Sequence, residues 1–393
     1  MSNEAKKYEI VKSESIVYKG RTLYRIKALR TFCVDCTAIS IVVKKGELGG
    51  FVESENNLSQ EGTCWVYGEA KVYGDAKVLD DAFIYNTAEV FYNAKIYGKA
   101  CIFDNAKIYG DAKIYDDARV CGNAEICGYA QIFGNAKIYL GAKIYGRACV
   151  FDNAEVFDFS EVHGDAKICG KARVYGKAKV CNFAKILDDA QVYDNAKIYE
   201  NAIVAGDVKI YHNAQVYGNA WIYDDAFICD NARISGCAKI FNKAGVYGNA
   251  KVFDNAKIFG ETRVYDNAEI KGDVFIYGDA QICGVAKIIG DKKIETGRYI
   301  FKSLDVEETL NEIESVCKKI DFASKAVKSN FPVEKSYIEN LISQFAECSE
   351  LADSFHFHGI MGLTSKELKI YDLLLQGKAN VEMLKNKMKG EEI

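Results

Sequence analysis

Two histidines near the middle of the chain have a side chain suited to acid–base catalysis. His163 and His212 are separated by 49 residues and lie in different sequence contexts. Histidine is a common general base because its pKa lies near neutral pH. An isolated surface histidine is nonetheless the commoner situation, and no phosphate-binding motif accompanies either residue. The two histidines are therefore weak candidates for catalytic residues.

A second set of reactive side chains lies closer to the N-terminus. Cys33 and Cys36 form a Cys-Val-Asp-Cys motif, and Cys64 is the next cysteine along the chain. Cysteines at this spacing can bind zinc or act as a redox pair. A structural zinc site needs four ligands, and a single motif supplies two of them. We expect no metal, with these three cysteines as weak candidates for ligands.

Most of the chain is a strict repeat. A small residue, usually alanine, recurs every six residues from Ala70 to Ala286, with Val208 and Val274 among the exceptions. An isoleucine or valine follows two positions later in every repeat, which makes 39 hexapeptides or 13 groups of three. Two inward positions two residues apart predict a short strand, and the Gly, Asp and Asn residues that follow predict a corner.

The hexapeptide Ile-Tyr-Gly-Asp-Ala-Lys resembles the repeat of the left-handed parallel β-helix superfamily, in which three hexapeptides form one triangular coil. This resemblance implies an all-β solenoid of about 13 triangular coils, roughly 60 Å long at about 4.8 Å per coil. Residues 7–60 followed by Ala-x-Ile-Tyr repeats are similar to YdcK-like and prophage-encoded hexapeptide-repeat proteins. Those motifs are specific for the architecture and uninformative about activity.

The composition changes at both ends of the repeat and predicts three domains. Residues 1–63 are expected to form a small N-terminal β cap, residues 64–303 the β-helix, and residues 304–393 a C-terminal α-helical domain. A cap is expected because an open solenoid end exposes unpaired strand edges.

Helix-start signals and helical spacing of apolar residues predict the layout of the C-terminal region. The first helix is expected to begin near Asp305, and the second follows Pro332. The third is expected to run from Thr364 to Gly377 because glycine commonly ends a helix, with a short fourth helix after it.

Residues 18 apart are expected to stack in neighbouring coils. One row alternates in sign, beginning Lys71, Glu89, Lys107. Another row is basic wherever it is charged. Its principal members are Lys77, Lys95, Lys113, Lys167, Lys185, Lys239 and Lys257. Like charges stacked this closely cost stability unless nearby carboxylates or a ligand neutralise them.

One group of apolar residues interrupts the basic row and an adjoining aromatic row. It consists of Ile203, Ala205, Trp221 and Tyr223, and Ile203 and Trp221 are 18 residues apart. Exposed apolar patches commonly mark contact surfaces. We expect this group to contact another subunit or a partner. The alternative is that the stacked rings only shield the wall of the solenoid.

The net charge, the length of apolar runs and the positions of the cysteines restrict the cellular compartment and the class of binding partner. The formal net charge of −4 provides no general attraction to nucleic acid or to anionic membranes. No segment approaches 18 uninterrupted apolar residues, so we expect no membrane span. Most of the 14 cysteines occupy positions within the repeat, several of them filled elsewhere by Tyr or Phe, which favours a reducing, cytoplasmic location.

These features favour a non-catalytic structural or interaction module that needs no cofactor. It is expected to bind protein through its aromatic strips or its C-terminal helices, with a homotrimer open as its assembly. Nucleic acid and membrane are not expected partners. The alternative, implied by the resemblance, is a hexapeptide-repeat acyltransferase that uses acetyl-coenzyme A, with His163 or His212 as its general base.

Overall fold

The computed structural model describes residues 6–36, 39–295, 298–301, 306–329, 335–353 and 365–388. Its repeat forms a parallel β-solenoid of about 14 turns, preceded by a small β region and followed by helices. The predicted fold class is confirmed. The predicted domain boundaries remain predictions.

Each hexapeptide contributes one short strand. Two-residue strands recur every six residues from Trp65–Val66 to Arg263–Val264. The last turns are formed by Glu269–Lys271, Phe275–Ile276, Gln281–Gly284, Lys287–Ile289, Lys293–Ile294 and Arg298–Phe301. Strand Leu48–Val52 before the repeat and strand Arg298–Phe301 after it extend the 13 predicted coils to about 14 turns.

The strands assemble into three long sheets, which form the three walls of the solenoid. We call these walls the first, second and third faces, after the strands Lys71–Val72, Lys77–Val78 and Phe83–Ile84 that belong to them. Within each face, strands pair in parallel with residues 18 apart in register, as Lys107 does with Glu125. Each sequence position therefore becomes a column that runs along the solenoid.

The predicted inward and outward positions are confirmed. Ala106 and Ile108 are fully buried, Lys107 is exposed and Tyr109 is half-buried. Columns of alanine and of isoleucine or valine fill the interior as one continuous core. Full burial of each aliphatic side chain stabilises the fold by roughly 1.5–3 kcal/mol relative to exposure.

Aromatic side chains at the end of each strand stack into ladders along the outside. The rings of Tyr97, Tyr115, Phe133 and Phe151 follow one another with centroids 4.8–4.9 Å apart and interplanar angles of 1–3°. Because each ring covers the face of the next, an uninterrupted ladder exposes mainly ring edges.

Corners between the second and third faces alternate aspartate with glycine. The series is Asp80, Gly98, Asp116, Gly134, Asp152, Gly170, Asp188, Gly206, Asp224. All of these residues have positive φ, and the aspartate carboxylate accepts a hydrogen bond from the backbone N–H of the next coil, as Asp188 does from Gly206 at 3.0 Å. A Cβ on Gly170 would lie 2.7 Å from the backbone nitrogen of Asp188. An alanine at position 170 would therefore force a local shift in addition to the conformational cost of positive φ.

Antiparallel strands extend the first face beyond the first coil. Strand Tyr8–Tyr18 pairs with Arg21–Ala28, which pairs with Leu48–Val52, and this last strand adds in parallel to the solenoid. A second hairpin joins Phe32–Cys36 to Ile39–Val43, and a short 3₁₀ turn covers Glu55–Asn57.

Buried polar groups fasten this cap to the solenoid. The ammonium of Lys7 is fully buried, and it donates to the backbone carbonyl of Cys64 at 2.9 Å. The carboxylate of Glu89 accepts hydrogen bonds from Tyr18, Lys19 and Tyr73 at 2.8–3.0 Å. Burial alone would raise the pKa of Glu89, but these three donors outweigh it and lower that pKa.

Among the described residues, the C-terminal region forms three helices. They are Val306–Lys328, Lys335–Asp353 and Ser365–Met388, and their apolar faces share one core. None of the described helices has the length and apolarity needed to cross a membrane.

The predicted helix end at Gly377 and the predicted fourth helix are wrong. The third helix continues through Gly377, where a Cβ would lie 2.3 Å from the ring of Phe345. The glycine allows two helices to approach closely and does not terminate the third one.

The corner geometry predicts a large cost for Gly170→Ala. Gly46 also has positive φ, but a Cβ there meets nothing within 4 Å, so Gly46→Ala measures the conformational cost alone. We expect Gly46→Ala to lower the free energy of unfolding by about 1 kcal/mol and Gly170→Ala by at least about 2 kcal/mol. Urea unfolding followed by circular dichroism measures both, and equal losses would contradict the steric argument.

Candidate functional site

The outward strand positions of the second face carry an uncompensated row of lysines. Lys77, Lys95 and Lys113 are register partners in consecutive coils, and Lys239 pairs with Lys257 in the same way. From residue 77 to residue 293, none of these positions on the second face holds an acidic residue. We call this wall the basic face.

Ion pairs between neighbouring coils occur on the other two faces. On the first face Lys179 binds Glu161 at 3.0 Å, and on the third face Lys137 binds Glu155 at 2.9 Å. No carboxylate of the described residues lies within 4.0 Å of the seven predicted lysines of the basic face. Their ammonium groups therefore repel one another and lack the internal neutralisation found elsewhere.

The structure brings the four predicted contact residues together on the basic face. Ile203 and Trp221 are register partners, and Ala205 and Tyr223 occupy the adjoining ladder position of the same two coils. Trp221 is 45% exposed, and the ammonium of Lys239 lies 5.1 Å from its ring centroid. We call these four residues the contact patch.

The contact patch coincides with a break in the aromatic ladder. Cys169, Leu187 and Ala205 occupy three successive ladder positions without a ring. The ladder resumes where Tyr223 stacks on Phe241 at 4.7 Å. One face of the Tyr223 ring has no stacked neighbour, so the patch offers a ring face where intact ladders offer only edges.

The two histidines lie in different places and form no common site. His163 substitutes for a ring in the ladder of the first face and stacks on Tyr145 at 4.7 Å. Burial lowers the pKa of His163, which favours the neutral imidazole. His212 is exposed at a corner, where its Nδ1 lies 2.8 Å from a carboxylate oxygen of Asp230.

The candidate metal ligands are not brought together in the described structure. Cys33 is exposed on the cap hairpin, whereas Cys64 is buried with its sulfur 3.2 Å from the ammonium of Lys7. Burial raises the pKa of the Cys64 thiol. The side chain of Cys36 lies outside the described residues. In the described part of the chain, no group of three His, Cys, Asp or Glu side chains could hold a metal ion.

Two open clefts flank the corner that follows the contact patch. The larger one lies on the third face, measures about 1190 Å³ and includes Gln191, Lys209 and Phe227. The smaller one measures about 640 Å³ and lies along the corner at Asp207 and Asp224. Neither cleft is lined by a histidine. These clefts were not predicted from the sequence, in which valine at the small position 208 is an irregularity.

A scan against known protein families finds no match to this chain, and a search of curated proteins finds none.

The two tryptophans allow the charge around the contact patch to be measured. Trp65 is fully buried, so fluorescence of the Trp65→Phe variant reports on Trp221 alone. Because Lys185 and Lys239 flank the patch, we expect iodide to quench this emission several-fold more strongly than caesium does.

The Trp221→Phe variant is the matched control for this experiment. Its remaining tryptophan, Trp65, should be little affected by either ion because it is buried. Equal quenching of Trp221 by iodide and caesium would contradict a positive potential at the patch.

Proposed function

We propose that this chain is a non-catalytic interaction scaffold whose basic face binds an acidic protein surface. The observation that carries the proposal is a row of unpaired lysines interrupted by an exposed tryptophan. Several lysines of the other faces bind carboxylates of the molecule, as Lys179 and Lys137 do, whereas among the described residues no lysine of the basic face has a carboxylate within 4.0 Å.

The order of side chains along the basic face supports a partner surface that is acidic around an apolar centre. Lys185, Ile203, Trp221 and Lys239 follow one another in consecutive coils. Tryptophan is enriched among the residues that dominate binding energy, typically at the centre of an interface. Lysines at the rim accelerate association with a complementary charge and select against basic partners.

Acyl transfer from acetyl-coenzyme A remains the second candidate function. It rests on the proposed membership of the hexapeptide-repeat superfamily, with likeness to YdcK-like and prophage-encoded proteins, which the alanine and isoleucine columns support. The placement of the histidines favours it less, since His163 is part of a ring stack and His212 lies on an exposed corner. No disulfide joins the twelve cysteines that the structure describes, which supports the proposed cytoplasmic location.

Calorimetric titration with acetyl-coenzyme A separates the two functions. The scaffold proposal predicts no saturable heat at millimolar ligand. Saturable micromolar binding that is lost in His163→Ala or His212→Ala would contradict the scaffold proposal and support the enzyme. The molecular mass of the assembly in solution, measured on the same samples, would show whether the chain forms a homotrimer.

Capture from an extract of the source cells tests the basic face directly. The patch variant combines Trp221→Ala with Lys185→Glu and Lys239→Glu. The control variant carries the same charge change on the first face, through Gln215→Ala with Lys197→Glu and Lys251→Glu. We expect acidic proteins to be retained by the wild type and the control, and lost from the patch variant.

Quantitative mass spectrometry identifies the proteins retained by the wild type, the patch variant and the control variant. A retained set that is identical for all three proteins would contradict the proposed surface. Loss of the same proteins from the control variant would show that general charge, rather than the basic face, holds them.

A further inference from the structure

Four corners of the solenoid depart from the regular geometry, and each precedes a residue larger than alanine at the small inward position. Two of them are Gly206–Asp207, before Val208, and Gly272–Asp273, before Val274, and the others are at Gly260, before Thr262, and Gly290, before Lys292. The φ of Gly206 is +82° and that of Gly272 is +101°, whereas most corner glycines lie between +64° and +73°. Because the interior is close-packed, the larger side chain displaces the backbone that precedes it.

The first of these distortions removes hydrogen bonds between coils. At regular corners of this edge the second corner residue donates its N–H to the next coil, as Lys171 does to the carbonyl of Asp188 and Asp225 to that of Asn242. Asp189 and Asp207, both described and exposed, make no such bond, and neither does Lys243, which faces the distorted corner at Gly260. Two backbone donors are thus left available beside the larger cleft.

The larger cleft follows the third face along the solenoid axis. It extends from Lys137 to Phe227, which is five coil steps or about 24 Å. Gln191 and Lys209 form its floor, and the ring edges of Tyr193 form part of one wall.

An aromatic ring closes one end of this cleft. The ring of Phe227 lies over Gly245, where a Cβ would approach it to 2.2 Å, and the guanidinium of Arg263 lies 5.1 Å from its centroid. Glycine at position 245 therefore permits the ring to lie over the neighbouring coil.

The charges of the cleft balance, so an ionic ligand gains little there. Its lining contains four basic and four acidic side chains. Glu155 is already paired with Lys137 at 2.9 Å and with Arg173 at 3.4 Å. On the basic face, in contrast, the charged side chains at the outward strand positions are all basic.

The remaining polar groups include both donors and acceptors. The amide of Gln191, the ammonium of Lys209, the hydroxyl of Tyr211 and the carboxylate of Asp207 all line the cleft. A ligand that satisfies such a mixture must itself donate and accept at many points, as hydroxyl groups do. A peptide ligand is less suited because peptide sites provide apolar pockets, and here Phe227 is the principal apolar side chain of the lining.

We propose that this cleft binds a neutral oligosaccharide of about five sugar units, a length set by its extent of about 24 Å. The ring of Phe227 would contact the apolar face of a terminal sugar, and the polar floor would bind hydroxyl groups. This activity goes beyond the proposed scaffold function and uses a different face of the solenoid.

Binding of the full-length protein to neutral and charged glycans tests the proposal. The probes are an array of neutral oligosaccharides, followed by calorimetry with cellohexaose, maltohexaose and N-acetylchitohexaose, and with hexagalacturonate as a charged comparator. We expect at least one neutral glycan to bind, with affinity that rises with length to about five units and then levels off. Absence of any neutral ligand, or tighter binding of hexagalacturonate, would overturn the proposal.

Variants of the cleft locate the site. Gln191→Ala and Phe227→Ala are each expected to weaken binding about tenfold, whereas Gln215→Ala, an outward glutamine of the first face, should leave it unchanged. Val208→Ala restores the common residue of the repeat and should also weaken binding by allowing a regular corner.

The result is independent of the scaffold function. The patch variant on the basic face should bind the glycan normally, so failure of one proposal leaves the other intact. Equal affinities for Gln191→Ala, Phe227→Ala and the wild type would place the glycan elsewhere and overturn the proposal.

Discussion

Hydrogen bonding between each coil and the one 18 residues further along is the constraint on which the rest of this structure depends. Two-residue strands would be far too short to persist alone, but all except those at the ends of a face are paired on both sides. In-register stacking turns every sequence position into a column. The core, the ladders and the charge rows are columns of this kind, and their properties follow from what neighbours of one type do to each other.

The effect of a column of like side chains on stability depends on the chemistry of the side chain. Alanine and isoleucine columns exclude water, and tyrosine columns stack ring on ring. Asparagines such as Asn213 and Asn231 form a continuous amide ladder. A column of lysines, in contrast, is destabilising unless something else neutralises it. The outward column of the basic face contains no acidic residue, whereas those of the other two faces include glutamates that pair with lysines, and this contrast is the strongest reason to assign binding to the basic face.

Much of this fold could be predicted from the sequence because the repeat is local and has one period. The alternation of inward and outward residues was sufficient to assign Ala106 and Ile108 to the core. The placement of Ile203 next to Trp221 likewise followed from their separation of 18 residues. Such predictions need only the coil length.

Features that depend on packing between coils or helices were not predictable in the same way. The Asp–Gly alternation repeats every 36 residues from Asp80 to Asp224, and its aspartates accept a hydrogen bond from the N–H of the following coil, as Asp188 does from Gly206. Gly377 carries the sequence signal of a helix end but is required for contact with Phe345. The effect of Val208 on its corner depends on the space inside the solenoid, so the cleft could not be read from residue types alone.

Reversing the charge of one lysine on each of two faces tests most directly whether the basic face lacks compensating charges. Lys95 lies between Lys77 and Lys113, whereas Lys107 lies between Glu89 and Glu125. At low salt we expect Lys95→Glu to raise the melting temperature by about 1–3 °C and Lys107→Glu to lower it, with both shifts diminished by high salt. A fall in melting temperature for both variants, or shifts unaffected by salt, would contradict an uncompensated basic face.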